Sequence, residues 1–330
     1  MNGVSVIICT YNGRQRLEPT IFHILKLEAV CAWELIIIDN ASSDSTSEYC
    51  SELLASSGGQ LCWRIIYEEK PGLIHARLRG LRESKYGIVL YCDDDNSLSA
   101  DYLQIGFEIF KDNPNVGALG GFGIPVFEVN KKPTWFDRYS HSFAVGPQSS
   151  HDGKLMEFPA ELYGAGTFLR KEVILYFYDR GFETVMTGRV GNKLVSGDDV
   201  EWCYLIQLLN YEIWYDHRLT FTHRMPAARM QWKYYLKLKE GIASGAASFL
   251  PYTCLFKDRS MGVIGFGMHW FLNGLKSTLI FMYNKFKMSL ISTLTPEIEL
   301  ANLILRAKAT SYWSDGVKSF KHFIHLRKML

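Results

Sequence analysis

An α/β fold built on a mostly parallel sheet, with helices on both faces, is the architecture this sequence predicts. Three observations predict it. Largely apolar runs without polar alternation, at residues 4–9, 34–39 and 88–92, read as strands buried on both sides. Stretches with helical spacing separate them, so strand and helix alternate. Each run also ends in polar residues, which in a parallel sheet gather along one rim, where ligands bind.

Taken in order, Val4-Ser5-Val6-Ile7-Ile8-Cys9 is the first strand and ends in Thr10-Tyr11-Asn12-Gly13. Leu17, Ile21, Ile24, Leu25 and Leu27 then mark one face of a helix. Glu34-Leu35-Ile36-Ile37-Ile38-Asp39 is the second strand, and Asn40-Ala41-Ser42-Ser43-Asp44 suits a loop that caps the next helix, over about 45–54. Ser56-Ser57-Gly58-Gly59 leads to a strand over 61–67, and Pro71-Gly72 to a helix over 74–84. Ile88 to Cys92 is the next strand and ends in Asp93-Asp94-Asp95, after which Asn96 and Ser97 are expected to break the pattern. Gly120-Gly121-Phe122-Gly123 leads into Ile124-Pro125-Val126 and reads as a strand or bend.

Bulk composition narrows the function. The 330 residues suggest two domains, or one with an appendage. Hydrophobic residues at 48% against 21% charged support a large core. A net charge of +2 gives no general case for nucleic-acid binding. Seven scattered cysteines without a C-x-x-C pair suggest free thiols rather than a disulfide framework or zinc site. Met1-Asn2-Gly3 runs straight into a strand, so no signal peptide is expected and the cytoplasm is the expected location. Neither G-x-G-x-x-G nor G-x-x-x-x-G-K-[ST] follows the first strand, which argues against dinucleotide-binding and P-loop chemistry.

The aspartate triplet is the first candidate for a functional site. Three carboxylates at a strand mouth repel one another unless a cation neutralises them, although Asp and Asn are also ordinary turn residues. Val6-Ile7-Ile8-Cys9-Thr10-Tyr11-Asn12, Ile37-Ile38-Asp39-Asn40-Ala41-Ser42-Ser43-Asp44 and Tyr91-Cys92-Asp93-Asp94-Asp95-Asn96 together resemble the family 2 glycosyltransferases. Gly164-Ala165-Gly166-Thr167-Phe168-Leu169-Arg170-Lys171-Glu172 is similar to a further segment of that family. Ser196-Gly197-Asp198-Asp199-Val200-Glu201-Trp202 is similar to its G-E-D-x-[DE] stretch, with Asp198 replacing the usual Glu. The resemblance covers roughly residues 1–225.

It implies a GT-A fold over 1–225, with a donor half at 1–110 and an acceptor half at 111–225, followed by a helical region at 226–330. It implies inverting transfer from a nucleotide-diphosphate sugar, expected to be a UDP-sugar, to a hydroxyl of a glycan or lipid-linked acceptor in cell-surface polysaccharide synthesis. A divalent cation, Mn²⁺ or Mg²⁺, would stabilise the departing diphosphate. By resemblance Asp95 is the metal ligand, Asp93 or Asp94 accepts from the ribose, Asp39 from a base imide, and Arg77 lies near the nucleotide. Asp198 and Asp199 are the catalytic candidates, at a helix start where Asp is also a common cap; by resemblance the second, Asp199, is the base, and Glu201 a possible acceptor contact. With a nucleotide so placed, Thr10 and Tyr11 suit contact with the base, or for Tyr11 ordinary packing at the rim, and Asn12 the shaping of its loop. His223 suits a metal or phosphate, or a structural place beside a strand. Trp135, beside Phe136, suits stacking on an acceptor sugar or anchoring of its loop.

After Arg224 the match fades. Residues 229–239 alternate basic and aromatic side chains, expected on a membrane-facing or phosphate-facing helix. Residues 261–283 approach the length of a membrane span but contain His269, Asn273 and Lys276, so an interfacial or soluble helix pair competes with a span. Peripheral attachment to the inner membrane face is the expectation. Two other classes stay open: a sugar nucleotidyltransferase, disfavoured by the absence of a glycine- and basic-rich first loop, and a non-catalytic sugar or lipid-head-group binder on the same fold.

Overall fold

The computed structural model describes residues 3–58, 61–186, 197–290, 293 and 295–330. Its N-terminal part alternates as the sequence predicts: β1 (Gly3–Thr10), α1 (Leu17–Ile24), β2 (Ala32–Asp39), α2 (Thr46–Ser56), β3 (Trp63–Tyr67), α3 (Leu73–Glu83) and β4 (Ile88–Asp93). β5 (Asn96–Leu98), α4 (Tyr102–Asp112), β6 (Val116–Phe127), α5 (Phe136–Tyr139), β7 (Gly153–Lys154) and β8 (Thr167–Arg170) follow. Next come α6 (Lys171–Tyr178), α7 (Asp198–Leu208) and β9 (Glu212–Met225).

The strands form one sheet in the order β3-β2-β1-β4-β8-β6-β9-β5, with β7 on β9. The first four are mutually parallel. β8 then enters antiparallel to both β4 and β6, and β6 runs parallel to β9. Ile7, Ile8, Ile36, Ile37, Ile38, Val89 and Leu90 are wholly inaccessible, which is why their runs do not alternate with polar residues. Helix α3 lies close on the sheet because residue 80 is glycine: a Cβ there would come within 2.6 Å of Ile7. The glycine run at 120–123 lies inside β6, beside a register shift between Gly120 and Phe122.

Asn96 and Ser97 correct one expectation. They do not break the chain into a helix but form β5, which pairs antiparallel with β9 as Asn96 opposite His223 and Ser97 opposite Thr222. The partner lies more than a hundred residues downstream, so no local pattern marks the strand.

The chain divides into two compact units. One comprises Met1–Tyr176 with Trp202–Ala227 and contains the sheet. The other comprises Phe177–Glu201 with Ala228–Leu330. Its helices are α8 (Trp232–Ser244), α9 (Leu250–Lys257), α10 (Val263–Ser289), α11 (Pro296–Ser314) and α12 (Gly316–Met329). The first turn of α7 thus groups with the helical unit, and the rest of that helix with the sheet unit. Within the basic-aromatic stretch, α8 buries Tyr235 and Leu238, and Arg306 of α11 pairs with Glu240 at 2.8 Å. Residues 261–283 are not a helix pair: α10 is one helix of 27 residues. Among the described residues no helix is long and apolar enough to cross a membrane. All seven cysteines are free.

Candidate active site

The parallel register sets Thr10 beside Asp39, and Cys9 beside Asp93, so the polar ends of β1, β2 and β4 share one rim. That rim is held together by its own polar groups. Asn12, in the left-handed region at φ 48°, donates its N–H to Ser42 Oγ at 2.8 Å and accepts from the N–H of Ser43 at 2.8 Å, tying the β1 loop to the β2 loop. Asp39 is buried and accepts from the N–H of Ser42 at 3.0 Å and from the Ser47 hydroxyl. Asp39 thus ties down the loop that follows its own strand.

Thr10, expected at the base, is also buried. Its hydroxyl donates to Asp94 Oδ2 at 2.7 Å, because the tight β1 turn points it back towards the triplet. Gly13 permits that turn, since a Cβ there would fall 1.9 Å from Thr10 Oγ1. Tyr11 stays 58% exposed at the lip of the rim and keeps a face open for stacking.

The three aspartates face different surroundings, as alternation along a strand end requires. Asp94 meets Arg16, whose guanidinium donates to it at 2.7 Å and to the Tyr11 and Asn12 carbonyls at 3.1 and 3.0 Å. Burial pushes the Asp94 carboxyl above its ordinary range, and the Arg16 contact opposes that rise. Arg16 escaped the sequence reading because nothing local pairs it with a residue 78 positions away. Asp93 is the most open of the three, with its side chain 37% exposed. Behind it lies Arg77 at 3.7 Å, which is buried although it sits on a helix beside Arg79 and Arg82. Arg77 packs over the Tyr91 ring and against Gly164, where a Cβ would come within 2.5 Å of its guanidinium.

Asp95 faces His223 across the β5–β9 pairing, with Oδ2 and Nε2 3.5 Å apart and both side chains nearly enclosed. The other ring nitrogen, Nδ1, lies 2.8 Å from the Phe143 carbonyl oxygen. A carbonyl only accepts, so Nδ1 carries the hydrogen, and Nε2 is the nitrogen that faces a carboxylate oxygen. Two lone pairs at that distance repel unless a cation or proton lies between them. An imidazole fixed by a backbone carbonyl, with a carboxylate beside it, is a donor set that suits Mn²⁺ or Mg²⁺ completed by phosphate and water. Phe143 had no signal in the sequence. It ends a 3₁₀ turn, Ser140–Phe143, and packs with Phe136 and Trp135 at ring separations of 5.3 and 6.2 Å. Trp135 therefore buttresses the segment that holds His223, whatever else it touches. A second cluster, Asp152, Asp216 and His217, lies away from the triplet, and Asp216 there already pairs with Arg218 at 2.7 Å.

Asp198 and Asp199 open α7, as the sequence predicts, after Gly197 at φ 129°. Ser196 of the matching stretch lies outside the described residues. Asp198 is buried, and Asp199 is partly exposed. Glu201 corrects the expectation of an acceptor contact. Its carboxylate has no exposure, because Thr184 and the Val185 N–H (3.1 Å) close on it and Tyr252 donates to it at 2.6 Å. His322 completes the chain at 2.9 Å from the Tyr252 hydroxyl. Burial pushes the Glu201 carboxyl up to about 7 and the His322 imidazole down to about 4, so His322 is neutral. Because the folded state raises an acid's pKa, the folded protein binds the extra proton between about 4.5 and 7. Stability from this group is therefore greatest below that window and is lost as pH rises through it. Glu201→Gln is expected to melt progressively higher relative to wild type as pH rises from about 5 to about 8. A melting difference that does not change with pH would remove Glu201 as a titrating group.

The model of "Glycosyl transferase family 2" matches residues 5–174. A glucosyl-dolichyl phosphate glucuronosyltransferase of Haloferax volcanii is 24% identical over 207 residues, which is 62% of this chain and 63% of that protein. A poly-β-1,6-N-acetyl-D-glucosamine synthase of Staphylococcus epidermidis is 29% identical over 121 residues, 37% of this chain and 28% of that protein. The matches thus span less than two thirds of either relative's own length. Among solved structures, the mannosyltransferase PcManGT from Pyrobaculum calidifontis, in complex with GDP-Man and Mn²⁺, superposes with a TM-score of 0.56 at 16% identity, covering 94% of this chain and 87% of that one. Residues 1–349 of S. aureus TarS in complex with UDP superpose with a TM-score of 0.52 at 13% identity, covering 96% and 92%.

Proposed function

This chain belongs to glycosyl transferase family 2 and has the GT-A fold, and from that premise we propose that it is an inverting, metal-dependent transferase. Its donor is a nucleoside-diphosphate sugar, expected to be a UDP-sugar, and its acceptor a hydroxyl on a glycan or lipid-linked glycan in polysaccharide or glycolipid synthesis. The observation that carries this reading is the facing pair Asp95 and His223 beside the more open Asp93 on a nucleotide-type rim. Complexes of similar proteins with UDP, and with GDP-Man and Mn²⁺, support it.

In this mechanism Asp95 and His223 would hold a divalent cation, which would stabilise negative charge on the departing diphosphate. Asp93 accepts from the ribose hydroxyls. Asp94 acts one step back: with Thr10 and Arg16 it fixes the β1 loop, whose Tyr11 packs on the base. Asp39 orients the β2 loop and accepts from a base imide with the lone pairs its own loop leaves over. Asp199 takes the proton from the acceptor hydroxyl as that oxygen attacks the anomeric carbon; the bond to the diphosphate oxygen breaks on the opposite face and the configuration inverts. Trp135 offers an aromatic face to an acceptor sugar.

The test is a panel of UDP- and GDP-sugars incubated with the protein and Mn²⁺, reading thermal stabilisation and release of the nucleoside diphosphate. A UDP-sugar is expected to raise the melting temperature and to be turned over slowly, with both effects abolished by excess chelator. Undiminished turnover in chelator overturns the metal assignment, and cleavage between the α- and β-phosphates instead of at the sugar would favour nucleotidyl transfer.

A further inference from the structure

Helix α10 leaves a large apolar face without cover in the helical unit. Its inward side is already committed: Phe266 stacks on Phe323 with ring centroids 4.2 Å apart, Trp270 meets Trp313 at 5.4 Å, and Gly274 lies against Tyr312 and Trp313. On the other side Ile264, Met268, Phe271, Leu275, Met282 and Phe286 are between 40% and 84% exposed. At about 100° per residue these six fall within an arc of roughly 60°, so they form one continuous stripe. At 1.5 Å per residue the helix is about 40 Å long. Exposed apolar surface of that extent on one face marks a binding surface rather than scattered single residues.

Charge identifies the occupant. Between Asp258 and Glu297 the sequence contains no carboxylate, while Arg259, Lys276, Lys285 and Lys287 add positive charge. Leu272, Leu279 and Tyr283, each more than half exposed, widen the stripe to about 120° on the same projection, so that Lys276 and Lys287 border one edge and Lys285 the other. α12, which packs against α10 through Phe320 on Phe266, carries Lys318, Lys321, Arg327 and Lys328 and again no carboxylate. An apolar stripe edged by lysines, on a helix whose opposite face is packed against protein, has the construction of an interfacial helix: its apolar side chains enter the acyl boundary and its lysines reach the headgroups.

We propose that the outer face of α10 docks this protein in the plane of an anionic lipid bilayer, with the helix lying along the surface. Depth is limited to the headgroup and upper acyl region, because the inner half of the helix stays in its protein bundle. Attachment combines apolar insertion with attraction to anionic lipid, so it weakens with salt but does not vanish. The proposal stands apart from the transferase reading, since binding is measured without donor or turnover.

The test is flotation of the full chain with vesicles of phosphatidylcholine, alone or mixed with phosphatidylglycerol. Wild type is expected to float with the mixed vesicles and at least tenfold less with phosphatidylcholine alone. Met282→Glu combined with Phe286→Glu, both at exposed positions, is expected to lower flotation at least tenfold while leaving the melting temperature within a few degrees. Lys276→Gln with Lys285→Gln is expected to lower it severalfold and to flatten its salt dependence. Equal flotation of wild type and the double glutamate variant overturns the proposal, as does no flotation at all. A wild-type dimer in solution that becomes a monomer in the glutamate variant, without vesicle binding, would also overturn it and assign the stripe to a second copy of the chain.

Discussion

Asp199→Asn is expected to lower kcat/KM for sugar transfer by about a thousandfold, while donor binding and folding stay near wild type. A positioned base contributes about 10²–10⁴-fold by removing the acceptor proton as the hydroxyl attacks. Asparagine keeps the shape and loses the basicity, so the loss falls on the chemical step. Structural cost is small because Asp199 is partly exposed in the first turn of α7; removing one charge at a helix N-terminus costs about 1 kcal/mol at most. Asp198→Asn is the control. That side chain is buried as the first residue of the helix, so its loss is expected to lower the melting temperature more than the rate. If Asp198→Asn abolishes transfer in a folded protein and Asp199→Asn does not, the base is Asp198. Transfer at full rate by Asp199→Asn would leave the reaction without its proposed base.

The rim of the candidate site was legible because its signals are local. An apolar run followed at once by Thr10, Asp39 or Asp93 gives both the strand and its polar end, and parallel topology does the rest. What was not legible depends on partners far away in sequence. Arg16 became part of the site only through a contact with Asp94, and β5 exists only because Asn96 meets His223. Glu201 reads as one more acid in an acidic helix start. Its enclosure by Thr184, Tyr252 and His322 comes from three other segments, none adjacent to it in sequence. The same limit applied to α10. Hydropathy showed an apolar stretch broken by polar residues, but which residues face the bundle and which face outward was fixed by packing against α11 and α12.

Asp95→Asn is expected to abolish metal-linked behaviour that can be read without turnover. The Phe143 carbonyl holds Nδ1–H of His223, so Nε2 is the nitrogen that faces Asp95 Oδ2 at 3.5 Å. A cation shared by the two atoms draws them together; without one, only a proton on Nε2 relieves their repulsion. Two consequences of opposite sign follow from the same substitution. In chelator, the side-chain amide that Asp95→Asn introduces can donate to Nε2 of His223, so the variant is expected to be as stable as wild type or more so. With Mn²⁺ and nucleoside diphosphate present, wild type gains stability by mass action, about 2.7 kcal/mol at a hundredfold excess over Kd, and the variant gains little of it. Activity should fall about 10²–10³-fold, the usual loss on removing one electrostatic contact to developing charge. His223→Gln tests the partner, since glutamine offers only a weak ligand at that position, and its metal-dependent stabilisation should fall in the same way. A variant that loses activity yet keeps the full Mn²⁺-dependent stabilisation would move the cation away from Asp95, and Asp93, the most open of the three carboxylates, would become its ligand.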